Sequence, residues 1–237
     1  MNPSNVQSPA GNPLLRYIYH PADAQATRQS KLLRTTPLSE DDMPSRNPAD
    51  TVQDRIDALY RIVDYLDVEN SPRYAPGSVE ETYCNIYARD YCYLAGAYLP
   101  NLWWRPEAIA DLLAGRPVDP DNSSNLKELD AFDAYQWLED WGHLYGWVRV
   151  DNVTALQRAA NEGRVAIIAA PRKGDSHTGH IVAVMPETAE HHAVWEEDRV
   201  VYPLQSQAGL HNKKLNPGEW MVRHADAFID FGYWHHD

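Results

Sequence analysis

Along "TVQDRIDALYRIVDYLDVE" the positions Ile56, Leu59, Tyr60, Val63 and Leu66 recur three or four residues apart. That spacing predicts one apolar face of an α-helix, with Asp50 or Thr51 placed to cap it. "SPRYAPG" breaks the chain, and a second helix follows in "ETYCNIYARDYCYLAGAYLPNLWW", ending at Gly96. Thr82 is one candidate cap for it, which puts Cys84 in the first turn. Ser78 with Glu81 as a capping box is another, which puts Cys84 in the second. "RPEAIADLLAGRPV" predicts a short helix with Pro106 at its first position and Gly115 at its end. "NLKELDAFDAYQWLEDWGHLYG" reads as helical and aromatic, and "DNVTALQRAANEG" as a helix capped by Asp151 and stopped by Gly163.

After Arg164 the period changes. "VAIIAAP", "HIVAVMP", "VVYPLQSQA" and "AFIDFGYW" are short β-rich runs bounded by turn residues. Helices first and an antiparallel sheet second predict an α+β fold, with a helical N-terminal half packed on the sheet. Residues 1–50, rich in Pro, Ser, Asn, Asp and Thr with one isolated apolar patch, "LLRYIY", read as an extended or disordered arm. A solvated tail accounts for this arm more simply than a segment laid over the domain.

Composition narrows the choice of partners. The chain has 237 residues, enough for one large domain or two small ones, and hydrophobic residues make up 43% of it. Its 34 acidic and 21 basic residues leave a formal net charge of −13. Duplex nucleic acid and anionic membrane surfaces both want the opposite sign, so neither is an expected partner. No apolar run is long enough to cross a bilayer, so membrane insertion is not expected. "MNPSNVQSPAGNPLLRYIYH" lacks a basic start followed by an apolar core. The chain is therefore expected to be made in the cytoplasm without a signal peptide.

Both cysteines, Cys84 and Cys92, lie on the second predicted helix. Eight residues of helix separate their Cα atoms by about 12 Å, and a disulfide needs less than about 7 Å, so they do not pair with each other. A cysteine on an aromatic helix is more often a small buried hydrophobe than a nucleophile. Cys84, near a helix N-terminus, has one advantage over Cys92: free N–H groups and the helix dipole favour its thiolate. A nucleophilic thiol also wants a histidine to take its proton. In "GDSHTGHIVAVMPE", His180 opens an apolar strand just after Gly179, and that glycine would leave room for a substrate. His177, in the turn before, is the weaker candidate. The H-x-x-H spacing of His177 and His180 could be half of a zinc site, but no third and fourth ligands accompany it. Gln205, Ser206 and Gln207 supply a polar group to orient the imidazole, with alternation placing Gln205 and Gln207 on one face and Ser206 on the other. His191, His192 and the terminal "HHD" read as solvated, Asp90 as a brace for a neighbouring loop, and Trp103 and Trp104 as core or, alternatively, groove lining.

Taken together, "CNIYARDYCYLAGAYLP", "AANEGRVAIIAAP", "GHIVAVMPE" and "PLQSQAGLHN" resemble the NlpC-type cysteine peptidases, papain-like amidases that cut peptidoglycan peptides. The similarity is greatest to the branch found among type VI secretion effectors and phage lytic enzymes, and it spans about Tyr83 to Asn212. The resemblance implies a papain-like fold and one catalytic cysteine amidase domain over residues 51–237. It matches Cys84 to the nucleophile and His180 to the base, and makes Gln207 the choice for the third position, with Gln205 and Ser206 as alternatives. Thr82 and Tyr83 stand where many members carry Asp or Ser before the cysteine. The implied function is that of a peptidoglycan hydrolase without metal or cofactor, an antibacterial effector delivered to a target-cell periplasm. A cognate immunity protein and a secretion-apparatus carrier are its implied partners. With an acidic chain, the substrate would be recognised by a groove, not by long-range attraction. The same cysteine and histidine would also serve a deamidase, acyltransferase or transglutaminase, and a non-catalytic binding module would carry Cys84 as core.

Overall fold

The computed structural model describes residue 18 and residues 25–77, 81–120, 122–174 and 178–237. The fold is α+β with antiparallel sheets. The first helix, α1 (Val52–Leu66), takes Thr51 as its cap, the Thr51 hydroxyl accepting from the Asp54 N–H. It buries the periodic positions Ile56, Leu59, Val63 and Leu66 together with Ala58 and Ile62.

Helix α2 (Cys84–Leu94) is the centre of the helical half. Nine of its eleven residues are buried, charged Arg89 and Asp90 among them. A helix covered on nearly every side must satisfy its polar groups internally, and Asp90 does so by receiving Arg73 Nε at 2.6 Å and the Tyr74 hydroxyl at 2.8 Å. The same guanidinium donates to the carbonyls of Leu33, Arg34 and Thr36. Asp90 thereby braces the chain that precedes α1. Residues 25–50 carry no helix or strand and lie over this half, with Ala26, Thr36, Leu38 and Arg46 buried. Most of the "LLRYIY" patch lies outside the described residues.

The run expected as one aromatic helix from Asn125 to Gly146 is broken into pieces. Leu126–Glu128 (β2) pairs antiparallel with Leu102–Trp104 (β1). Asp130 then caps helix α4 (Ala131–Asp140), accepting from the Asp133 N–H, and Gly142–Tyr145 forms a 3₁₀ turn. A side chain that caps a helix stops the pattern before it from continuing. Between β1 and β2 lies α3 (Pro106–Leu113), with Pro106 at its start and Gly115 in the left-handed region just beyond its end, φ +73°. Trp103 and Trp104 are core residues, 3% and 2% exposed, so they line no groove. Trp103 meets the Trp137 ring edge-on at 5.6 Å.

The main sheet has six strands in the order β3, β10, β4, β5, β8, β9. These are Val148–Val150, Gly232–His236, Val165–Pro171, Gly179–Val184, Leu204–Gln207 and Lys213–Pro217. Edge strand β3 precedes Arg164, earlier than the sheet was expected to begin. Helix α5 (Val153–Asn161) is capped by Asn152 and not by Asp151, because the Asn152 side chain accepts from the Ala155 N–H. "VVYPLQSQA" is not one strand. Pro203, with no N–H to give to a ladder, separates Arg199–Tyr202 (β7), paired with Val194–Glu196 (β6), from β8. "AFIDFGYW" contributes only its end to β10.

Every residue of β4 is buried, because both faces of the sheet are covered. Ile167, Ala169, Ile181 and Ala183 meet the helical half, including α2 and α4. Ala166, Ile168, Val182 and Val184 form a second core with Leu156 and Ala160 of α5 and with Met221. The terminal histidines belong to the fold, against expectation. His235 is 7% exposed on β10, and the His236 ring contacts the Tyr145 carbonyl through Nε2 at 2.9 Å. His191 stacks on Tyr60, while His192 is exposed.

Candidate active site

Cys84 is the first residue of α2, and Tyr83 is its N-cap with backbone φ −121°, ψ 37°. Neither Thr82 nor Ser78 holds that position; Ser78 lies outside the described residues. The Tyr83 side chain makes no capping hydrogen bond, so at the cap the first-turn N–H groups are left without that acceptor. The Cys84 sulfur accepts from the backbone N–H groups of Asn85 and Ile181 and hydrogen-bonds the His180 side chain.

His180, half-buried on β5, presents its other ring nitrogen to Gln207, with Nε2 to Oε1 at 2.8 Å. With Nε2 engaged by Gln207, Nδ1 is the nitrogen left for sulfur. Gln207 ends β8, the next strand, whose register pairs Ala183 with Ser206. Period-2 alternation then aims Gln207 and Gln205 toward the His180 side of the sheet and Ser206 toward α2. Ser206 is there engaged by the Tyr87 hydroxyl at 2.5 Å, away from the imidazole. Gln205 reaches Gln207 but not His180.

Gly179 makes no room for a substrate. A Cβ there would lie 2.8 Å from the Ala170 carbonyl oxygen and 3.1 Å from the Phe132 backbone nitrogen. The glycine allows the N-terminus of α4 to close on β5, which holds the strand that carries His180.

Burial alone would raise the thiol pKa, yet the net shift of Cys84 is downward. The hydrogen bond and positive charge of His180, then the two backbone N–H groups, outweigh the desolvation. His180 moves the opposite way. Burial opposes its charged form, but the hydrogen bond and charge of Cys84, and then Gln207, raise its pKa. Both shifts favour a thiolate–imidazolium pair. Cys92, two turns along α2 and fully buried, has only its burial as a strong influence, and its thiol is pushed up. His177 lies outside the described residues. Among the described residues, no three His, Cys, Asp or Glu side chains gather as metal ligands would.

No family model matches the chain, and no curated protein matches it.

The part of this site that sequence reading missed is its aromatic side. Trp220, on the short helix α6 (Trp220–Arg223), meets the His180 ring edge-on with centroids 4.8 Å apart. Phe228 and Phe231 pack behind it. In "NPGEWMVRH" nothing local distinguishes this tryptophan from the other seven.

Proposed function

We propose that the protein is a papain-like cysteine amidase of NlpC type that cleaves amide bonds in peptidoglycan stem peptides and acts as a secreted antibacterial effector. One observation carries the chemical part of this reading. A cysteine at the first position of a helix shares a hydrogen bond with a histidine, and the other nitrogen of that histidine is held by an amide oxygen. The choice of substrate rests on the sequence resemblance.

The reaction is acyl transfer. The Cys84 thiolate attacks the amide carbon, and the developing oxyanion is met by N–H groups at the start of α2. Such donors typically contribute about 3 kcal/mol each. The His180 imidazolium gives its Nδ1 proton to the leaving amine as the C–N bond breaks, leaving a thioester and a neutral imidazole. Water then attacks the thioester and passes its proton to Nδ1. The thiolate departs, which restores the ion pair and releases a carboxylic acid that gives its proton to bulk water. Gln207 holds Nε2–H throughout, so that Nδ1 is the nitrogen that exchanges protons.

Purified peptidoglycan digested with the protein should yield new amine termini, while Cys84→Ala and His180→Ala, folded by melting curve, should yield none. Intact peptidoglycan after exhaustive digestion with active-thiol protein would exclude this substrate and turn attention to protein acyl acceptors.

A further inference from the structure

The orientation of Gln207 is decided elsewhere. The Trp220 indole Nε1–H lies 2.9 Å from Gln205 Oε1. An indole nitrogen can only donate, so Gln205 must turn its carbonyl oxygen toward Trp220. Its NH₂ group is thereby turned toward Gln207 Oε1, 3.2 Å away. Gln207 must then present oxygen, not nitrogen, at the point where it also meets His180 Nε2 at 2.8 Å. An acceptor there requires a proton on Nε2. We infer that Trp220 is a positioning residue that sets the tautomer of His180 through two side-chain amides, Gln205 and Gln207.

Each amide alone could rotate by half a turn with little change of shape, since its oxygen and nitrogen are nearly equal in size. A reversed Gln207 would offer an N–H to Nε2 and favour the tautomer with its proton on Nδ1. That tautomer cannot accept a proton at Nδ1, where the sulfur and the leaving group are. The donor-only indole removes this freedom at the far end of the chain. Two further features fit the role. Gln205 is completely buried, so no solvent competes for its amide. Gly218 leaves the space its carbonyl occupies, because a Cβ there would sit 2.6 Å from Gln205 Oε1. The Trp220 ring packs against His180, and its N–H acts on the imidazole through the two amides.

The inference rests on the Cys84–His180 pair as the reactive site and is independent of the substrate. Trp220→Phe keeps an aromatic ring against His180 and removes the N–H. Gln205→Leu removes the middle of the relay. Nitrogen-15 spectra of the wild type should show neutral His180 protonated at Nε2, and Trp220→Phe should show a mixture of tautomers. The pH profile of Cys84 alkylation by iodoacetamide, followed by mass spectrometry of the Cys84 peptide, should move upward in Trp220→Phe by about half a pH unit, the scale of one lost hydrogen bond. On any substrate the enzyme does cleave, kcat should fall by about tenfold with KM little changed. Gln205→Leu should match these effects, and the double variant should add nothing to either. An unchanged tautomer and alkylation profile in a folded Trp220→Phe protein would overturn the inference, as would additive losses in the double variant. Because alkylation reads the thiol itself, a failed peptidoglycan digest would count against the substrate and leave this result standing.

Discussion

Cys84 and Cys92 are chemically identical and sit on one helix, yet their surroundings drive them in opposite directions. Cys84 receives two backbone N–H groups and a histidine. Cys92 is closed in the core with no comparable donor. A thiolate needs donors more than it needs exposure, since desolvation without them favours the neutral thiol. Iodoacetamide at neutral pH should therefore modify Cys84 and leave Cys92 intact until the protein is unfolded, as peptide mass mapping would read. Equal labelling of both would refute the assignment. The sign of the shifts also sets a pH window. The Cys84 thiol loses its proton below its ordinary range near 8.5, and the His180 imidazolium keeps its proton above its ordinary value near 6.5. Activity should rise on the acid side as the thiolate forms and fall on the alkaline side as the imidazolium is lost. A kcat/KM profile would show both limbs.

Among the elements, the site depends on how α4 meets β5. Residues Ala131 and Phe132, at the start of a helix, lie against Gly179 at the start of a strand. The pair admits no side chain between them. Gly179→Ala would force a methyl group to within 2.8 Å of one backbone oxygen and 3.1 Å of one backbone nitrogen. Backbone has little room to yield, and overpacking of this kind typically costs about 1–3 kcal/mol. The strand beginning at His180 would shift with it. The expected result is a lower melting temperature together with slower Cys84 alkylation at neutral pH. Wild-type values for both would show that the close approach is relaxed in solution.

At the scale of the whole molecule, the buried Arg73–Asp90 pair joins the helical half to the chain that precedes it. Arg73 is completely buried, bonded to Asp90 on one side and to the carbonyls of residues 33, 34 and 36 on the other. Asp90→Ala would leave that cation in the core without its counter-charge, which typically costs about 3–5 kcal/mol. Denaturant unfolding should show the loss, and limited proteolysis should cut sooner within residues 25–50. A variant with unaltered unfolding midpoint would mean that the carbonyls alone satisfy Arg73. Asn212 makes a second long-range tie. Its side chain accepts from the Gly209 N–H and donates to the carbonyls of Val68 and Tyr74, which joins the loop after β8 to the segment between α1 and α2.

Some of this was written locally in the chain. The apolar period of α1, the Pro106 and Gly115 bounds of α3, the unbroken apolar run of β4 and the nearness of Cys84 to a helix start all follow from neighbours within a few residues. For these, backbone geometry and period are sufficient. The rest depended on partners far away in sequence. Leu126–Glu128 became a strand because Leu102–Trp104 was there to pair with it. Ser206 turned to Tyr87, and Gln207 turned to His180, because the register of β8 on β5 chose the face. Trp220 entered the site only because α6 folds back beside β5 and β8. Alternation along β8 could say that Gln205 and Gln207 share a side, but not what waits there. A strand's period is local, whereas its neighbour and the side chains across from it are set by contacts that close only when the whole core packs.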